Sequence, residues 1–375
     1  MRHIELDVAS IERIFDEWFA GQTAGGLIAL LPEAEKNRLP LLQKACRERT
    51  VPLFGGIFPA LINGAEFVNH GICLLPFLTM PPAFLIPATA GVEAIGKAVR
   101  HGLATLPDGA AKPTLFLMFD GMLPNIASLL EEVYFDLANR VDYAGVNAGS
   151  ETFQPMPCLF DQTQVIEGGV MGVLLPGDVQ TVLEHGFVRP ERAMNATASE
   201  GNRIATIDWR PAFEVYQEVI KAEYGIDLTA ENFYQYAVHF PFGILRANGE
   251  VIVRIPVAMA DDGSLFCVGE VPENSALVLL KSPEAGGNGC LERLAKNLDF
   301  ASAESSSRCL LTFYCAGRRM HLGVEAEAEL AALGLQARLK QLVGALSLGE
   351  IGSTQRGGYP VFHNATLVCR PWSGL

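Results

Sequence analysis

The sequence feature that most constrains the fold is an order of segments that occurs three times along the chain. An apolar strand, a helix and a second strand that ends in glycine or other small residues follow one another, and further strand-like segments come after them. Helical crossovers favour parallel strand pairs, whereas hairpins add antiparallel strands. We therefore expect an α/β fold (α+β mixed), with two domains of mixed β-sheets flanked by helices and built from repeated β-α-β-β units.

The predicted strand, helix and second strand of each copy follow the periodicity of the apolar residues. In chain order they are 27–32, 35–49 and 51–58; 114–120, 126–139 and 141–149; and 309–317, 325–342 and 344–352, with a closing hairpin at 359–369.

The third quarter of the chain is either a diverged copy of this unit or an insertion. A helix is predicted after Arg210, with Pro211 suited to its first turn. An Asp-Asp-Gly turn at 261–263 predicts a hairpin. Since the segment ATASEGNR at 196–203 is polar and small, we place the domain boundary near residues 196–210 and predict domains at 25–205 and 206–375.

The segment before these domains, residues 1–24, is predicted to contain a helix. Its apolar stripe has the spacing of one helical face and ends at Gly21. The residues of the stripe are Ile11, Ile14, Phe15, Trp18 and Phe19.

Composition excludes several classes of function. The chain of 375 residues is 49% hydrophobic and 19% charged, with a net charge of −14, which argues against a nucleic-acid-binding surface. The N-terminus does not resemble a signal peptide, and the apolar stretch 71–90 contains four prolines, which are incompatible with a membrane-spanning helix. The eight cysteines have no CxxC spacing, as expected for buried, reduced thiols. We expect a cytoplasmic protein without a membrane span.

Chemically interesting residues concentrate near the C-terminus. The stretch 344–372 carries the glycines Gly349, Gly352, Gly357 and Gly358, the acid Glu350 and the adjacent pair His363 and Asn364. Dense glycine marks backbone that turns sharply or lies very close to a neighbour. Glu350 is therefore expected to project from a tight bend, where it either contacts a ligand or accepts backbone N–H groups.

Three further candidates lie at or near strand ends. Cys315 ends an apolar strand and precedes a predicted loop with Arg318, whose planar guanidinium is suited to a ligand carboxylate. Arg254 lies inside an apolar strand, so it either pairs with a buried acid or faces a pocket. Asp120 follows a strand directly and either contacts a ligand or caps the next helix.

Four motifs in this order resemble the FIST-domain proteins, which are prokaryotic sensory proteins. They are FDGMLPN at 119–125, YAGVNAGSETF at 143–153, LTFYCAGRRMHLG at 311–323 and the LSLGEIG and FHNATL segments after residue 345. The resemblance covers residues 25 to 372. It implies reversible binding of a small ligand, with amino acids or related metabolites as the suggested class. It also implies that the signal passes to a separate protein such as a histidine kinase or cyclase.

On this reading the ligand contacts Cys315, Arg318, Glu350 and Asn364 at the carboxyl ends of strands. Arg254, His363 and Asp120 are further candidate contacts, and no cofactor is expected. Two alternatives stay open. A haem-based nitric oxide sensor of the same family would use His239 or His363 as the axial ligand. A cysteine-dependent hydrolase would use Cys315 with His321 or His363 as the base.

Overall fold

The structure is a computed structural model that describes residues 1–19, 25–177, 179–300, 308–353 and 358–372. The predicted helix stop at Gly21, the boundary at residue 24 and Gly357 of the glycine-rich stretch lie outside the described residues. The α-helices are α1 (Val8–Phe19), α2 (Leu39–Glu48), α3 (Gly91–Leu103), α4 (Ile126–Leu137), α5 (Ala212–Tyr224), α6 (Phe233–Ala237), α7 (Cys290–Asn297), α8 (Ala316–Leu322) and α9 (Glu325–Gln336).

Short 3-10 helices lie at Glu33–Arg38, Ala88–Ala90, Ala138–Arg140 and Gly287–Gly289. The strands are β1 (Arg2–Ile4), β2 (Gly26–Pro32), β3 (Leu53–Phe58), β4 (Leu61–Asn63), β5 (Glu66–Val68), β6 (Ile72–Phe77), β7 (Ala83–Pro87), β8 (Thr114–Asp120), β9 (Asp142–Ala148), β10 (Leu159–Asp161), β11 (Val165–Ile166), β12 (Gly169–Leu175), β13 (Val182–Glu184), β14 (Met194–Glu200), β15 (Arg203–Ile207), β16 (Arg210–Pro211), β17 (Phe242–Leu245), β18 (Val251–Arg254), β19 (Pro256–Met259), β20 (Leu265–Cys267), β21 (Ala276–Leu279), β22 (Cys309–Cys315), β23 (Gln341–Ser347), β24 (Glu350–Gly352), β25 (Val361–His363) and β26 (Leu367–Pro371).

The three copies predicted from the sequence form three sheets with the same topology. In each sheet two strands joined by helical structure pair in parallel: β2 with β3, β8 with β9, and β22 with β23. A later strand, β6, β12 or β26, pairs antiparallel with the first strand of its unit. An outer strand, β1, β7 or β13, then pairs with that later strand. This mixed α/β architecture confirms the predicted fold class.

The units are interlocked because each one donates a short hairpin to another unit. The β4–β5 hairpin of the first unit pairs with β23 of the third. The β10–β11 hairpin of the second unit pairs with β3 of the first, and the β24–β25 hairpin of the third pairs with β9 of the second. The exchange is cyclic, so every one of these three sheets contains strands from two units.

The third quarter of the chain is an insertion, which decides between the two alternatives left open by the sequence. Strands β14 to β21, with α5 and α6, form a fourth sheet between β13 and α7 of the third unit. The first and last strands of the insertion are neighbours in its sheet, because Met194 on β14 pairs with Leu277 on β21. The predicted helix after Arg210 is α5, and the 261–263 turn joins β19 to β20 as expected.

Two local predictions are corrected. The cationic segment after Cys315 was expected to be a loop, but it is the short helix α8. The helix predicted at 325–342 ends at Gln336, and Arg338 has a φ of 52°. The left-handed conformation of Arg338 turns the chain back, which allows Gln341 to pair with Cys309. The pairing of β22 with β23 therefore determines where the helix ends.

The predicted apolar stripe of α1 is buried against the core of the first unit. The eight cysteines are free thiols and all except Cys309 are buried, as expected. Within the described part of the chain, no helix has both the length and the apolar character needed to cross a membrane.

Candidate functional site

Cys315 lies where β22 ends and α8 begins. The strand CLLTFYC is rich in apolar and aromatic residues, which suit a buried central strand. The Cys315 Sγ accepts a hydrogen bond of 3.0 Å from the Ala365 N–H. Burial raises the pKa of the Cys315 thiol, and the negative charge of Glu350 acts in the same direction. The thiol form therefore predominates at neutral pH.

Glu350 begins β24 and is fully buried. The Ser347 hydroxyl donates to its Oε1 at 2.6 Å, and the Thr366 hydroxyl donates to its Oε2 at 2.6 Å. The Thr366 N–H also donates to Oε2, at 3.3 Å. Burial raises the pKa of Glu350 to about 7, although these hydrogen bonds act in the opposite direction. Glu350 thus connects the turn between β23 and β24 to Thr366, which precedes β26, and it lies close to Cys315.

Asn364 connects the third unit to the inserted sheet. Its Oδ1 accepts the Ile255 N–H at 3.3 Å, and its Nδ2 donates to the His363 carbonyl at 3.1 Å. An amide has two donors and two acceptor lone pairs, so one of each stays available as far as the described residues are concerned.

Cys315 and Asn364 line a cavity of about 240 Å³, named here the Cys315 cavity. One wall comes from the third unit, and another comes from Ile255, Val257 and neighbouring apolar residues of the insertion. Glu151 and Phe153 of the second unit also line the cavity. The mouth is marked by Tyr234 and Met320, each 64% exposed. The cavity is mainly apolar, and the described lining residues with polar side-chain groups are Cys315, Asn364, Glu151 and Tyr234.

The structure places Arg318, the expected ligand clamp, outside this lining. Its Nε and Nη2 donate to Glu329 at 2.7 and 2.6 Å, and Nη1 donates to the carbonyls of His185 and Ala365. The remaining Nη2 donor faces the Cys290 Sγ at 4.0 Å. Both charged groups are buried. Every donor of the guanidinium is therefore engaged within the protein.

Asp120 and Arg254 are also separate from the Cys315 cavity. Asp120 accepts the N–H groups of Met122 and Gly168 at 2.9 and 2.7 Å, which fixes the segment after β8. Arg254 ends β18 and lines a different cavity.

The candidate haem ligands do not fit a haem in the Cys315 cavity. His239 Nδ1 lies 2.6 Å from His321 Nδ1, and His363 is completely buried with its Nε2 3.9 Å from Glu250. No histidine lines the cavity, and its volume is at or below the lower end for small-molecule sites. No cluster of three metal-ligating side chains occurs among the described residues either.

The geometry also gives Cys315 no histidine base. His321 pairs with His239 and with the Pro283 carbonyl, and no hydrogen bond joins a histidine to Cys315 in the described ranges. The hydrolase alternative therefore lacks the cysteine–histidine contact that it assumed.

Sequence reasoning missed the wall contributed by the insertion. Ile255, Val257 and Tyr234 belong to apolar or aromatic segments that look like ordinary core. The available signal was the interruption of the third repeat, which implies that the inserted sheet packs against the unit it interrupts.

Together these features define a mixed α/β protein of three interlocked units, with a mainly apolar cavity where an inserted sheet meets the third unit. Family models identify it more closely: the FIST N domain matches residues 27–210 and the FIST C domain matches residues 212–353. The chain therefore belongs to the FIST family. FIST domains are associated with sensory signal transduction and small-ligand binding. Comparison with curated proteins finds no match.

Proposed function

We propose that this protein is a sensory small-ligand-binding protein whose ligand occupies the Cys315 cavity, without catalysis. The observation that carries the proposal is the position of the cavity between the carboxyl end of β22 and the inserted sheet. A ligand there contacts two structural units at once, so binding favours one arrangement of the insertion on the third unit.

The lining indicates the kind of ligand. Its apolar walls suit a small apolar body, and Asn364 supplies one free donor and one free acceptor for a polar group. Amino acids with apolar side chains, or related metabolites, have both features. The pairing of Arg318 with Glu329 removes the cationic clamp expected from the sequence, so recognition of the polar group depends on Asn364.

The proposed output is contact with a separate signalling protein, such as a histidine kinase or cyclase, in the cytoplasm. Tyr234 and Met320 support this step because both line the cavity and are also exposed at its mouth. A bound ligand would shift these two side chains, and a partner protein that contacts them would thereby distinguish the occupied cavity from the empty one.

The test is a thermal-shift screen of the purified chain with amino acids and related small metabolites, followed by calorimetry on any hit. A ligand that binds only the folded state raises the melting temperature; a concentration of 100 Kd adds about 2.7 kcal/mol. Val257→Trp fills the cavity and is expected to abolish the shift. Val324→Trp adds the same side chain at a position that is 92% exposed and should leave the shift intact. An equal shift in both variants would place the ligand elsewhere.

A further inference from the structure

Arg254 is a buried cation without a carboxylate partner among the described residues. It is 3% exposed. Its Nε donates to the Glu270 carbonyl at 2.9 Å, and its Nη1 donates to the carbonyls of Val253 and Phe362 at 3.0 and 2.8 Å. The guanidinium also lies 5.2 Å from the centre of the Phe362 ring. None of the described residues accepts a hydrogen bond from Nη2, so two donors of this side chain are unused within that part of the chain.

The nearest acid is already engaged by another element. One oxygen of Glu270 accepts the N–H groups of Ala127 and Ser128 at 2.7 and 3.2 Å, and the other accepts the Ser128 hydroxyl. These contacts cap the N-terminus of α4, where a carboxylate is favourable. Burial lowers the pKa of Arg254 to about 10, although Cys267 and Glu270 offset part of this effect. Burying an unpaired charge is costly, which makes an external counter-ion favourable at this position.

The side chain lines a cavity of about 390 Å³, named here the Arg254 cavity. Successive residues of an extended strand point to opposite sides, so Arg254 faces this cavity whereas Ile255 faces the Cys315 cavity. Ser199 also lines the Arg254 cavity, and its hydroxyl has no hydrogen-bond partner in the described part of the chain.

The charges around the Arg254 cavity are arranged by depth. The buried guanidinium is inside, whereas Glu131 and Glu273 are exposed lining residues and Arg246 is an exposed cation beside Tyr359. The two exposed acids disfavour a second negative charge on a ligand. They favour a positive group at the end that points away from Arg254.

We propose that the Arg254 cavity is a second ligand site, which takes a small monocarboxylate carrying an amine at its other end. The carboxylate accepts from Arg254 Nη2 and the Ser199 hydroxyl, and the ammonium group lies toward Glu131 and Glu273. This site is independent of the Cys315 cavity.

The experiment is isothermal titration calorimetry of the full chain with three ligands of equal carbon number: 4-aminobutyrate, butyrate and succinate. We expect affinity to fall in that order, since the far end is positive, neutral or negative. Arg254→Met keeps an unbranched side chain and removes its charge, and is expected to weaken 4-aminobutyrate binding by about thirtyfold or more. Arg203→Met removes an exposed arginine and should leave it unchanged.

Circular dichroism checks whether Arg254→Met folds. If it does not fold, variants of the exposed lining residues test the proposal instead. Glu131→Gln combined with Glu273→Gln should remove the preference for 4-aminobutyrate over butyrate. Absence of binding by all three ligands overturns the proposal. The proposal is also overturned if a folded Arg254→Met protein binds 4-aminobutyrate with unchanged affinity. It is overturned as well if the double variant still prefers 4-aminobutyrate over butyrate. Val257→Trp, which fills the Cys315 cavity, should not affect these titrations, so the two proposed sites fail or succeed separately.

Discussion

Glu350 shows how a single buried side chain can be structural and titratable at once. Two hydroxyl groups and one backbone N–H hold its carboxyl group, yet its complete burial raises the pKa to about 7. In the unfolded chain the pKa returns to its usual value of 4.5. The folded protein therefore binds this proton more tightly than the unfolded protein does.

This difference predicts a pH-dependent stability. Between pH 4.5 and 7 the unfolded state loses the proton while the folded state retains it, so the free energy of unfolding falls by about 3 kcal/mol as pH rises. Glu350→Gln removes the titration. The free energy of unfolding of Glu350→Gln, compared with that of wild type at the same pH, should therefore rise as pH increases from 4.5 to about 7 and stay constant above about pH 7. Urea denaturation of both proteins at several pH values measures the difference; a difference that does not change with pH contradicts the prediction.

At the scale of single residues, the sequence was better at indicating which residues lie near the cavity than at indicating which groups they contact. Cys315 was identified at the end of an apolar strand and Asn364 in the glycine-rich C-terminal stretch, and the structure brings both to one cavity. Arg318 was expected to bind a ligand because its partner could not be inferred. Glu329 lies in the segment EAEAEL, which resembles an exposed helix. Only the packing of α9 against β22 buries it beside Arg318 and Tyr314.

At the scale of elements, the recurring glycines of the second strand have a steric explanation. Gly55, Gly145 and Gly344 occupy the second strand of the three parallel pairs, opposite Ala29, Leu117 and Thr312. A Cβ atom on these glycines would lie 2.2, 2.3 and 1.6 Å from the carbonyl oxygens of those partners. The small residues noted in each copy of the sequence are therefore required by the close approach of the paired strands.

This close approach predicts that Gly344→Ala is destabilising by about 1–3 kcal/mol or more, because neither backbone can move away without breaking the ladder. Gly55→Ala and Gly145→Ala should behave similarly. Gly334→Ala in α9 is the control: no atom lies within 4 Å of its Cβ position, and alanine favours a helix by up to about 1 kcal/mol. Chemical denaturation compares the four variants. Equal stability of the Gly344 and Gly334 variants would show that the strands adjust freely.

At the scale of the whole molecule, the sequence revealed the units but not their exchange of hairpins. Periodicity along the chain predicts strands, helices and their order, because these depend on local spacing of apolar residues. The pairing of β4 with β23 joins residues almost 300 positions apart, and no local pattern specifies it. Hairpins of two or three residues per strand carry too little pattern to reveal which sheet they complete.

This exchange makes a specific prediction about the two sequence halves. The family models meet near residue 211, yet β24 and β25 complete a sheet of the N-terminal half, and β4, β5 and β13 complete a sheet of the C-terminal half. Fragments 1–208 and 209–375 are divided at an exposed turn, where Trp209 is 83% exposed. Each fragment alone leaves unpaired strand edges and exposed core, so neither is expected to fold.

Co-expression of the two fragments, with an affinity tag on one, is expected to recover both as a complex with a cooperative thermal transition. Ile62→Asp in the N-terminal fragment is expected to abolish recovery, since β4 inserts Ile62 into the core of the third unit and a buried carboxylate there has no partner. A single fragment that purifies as a folded monomer would contradict the interlocked architecture. In that case each half would have to complete its sheets without the exchanged hairpins, which the observed register does not allow.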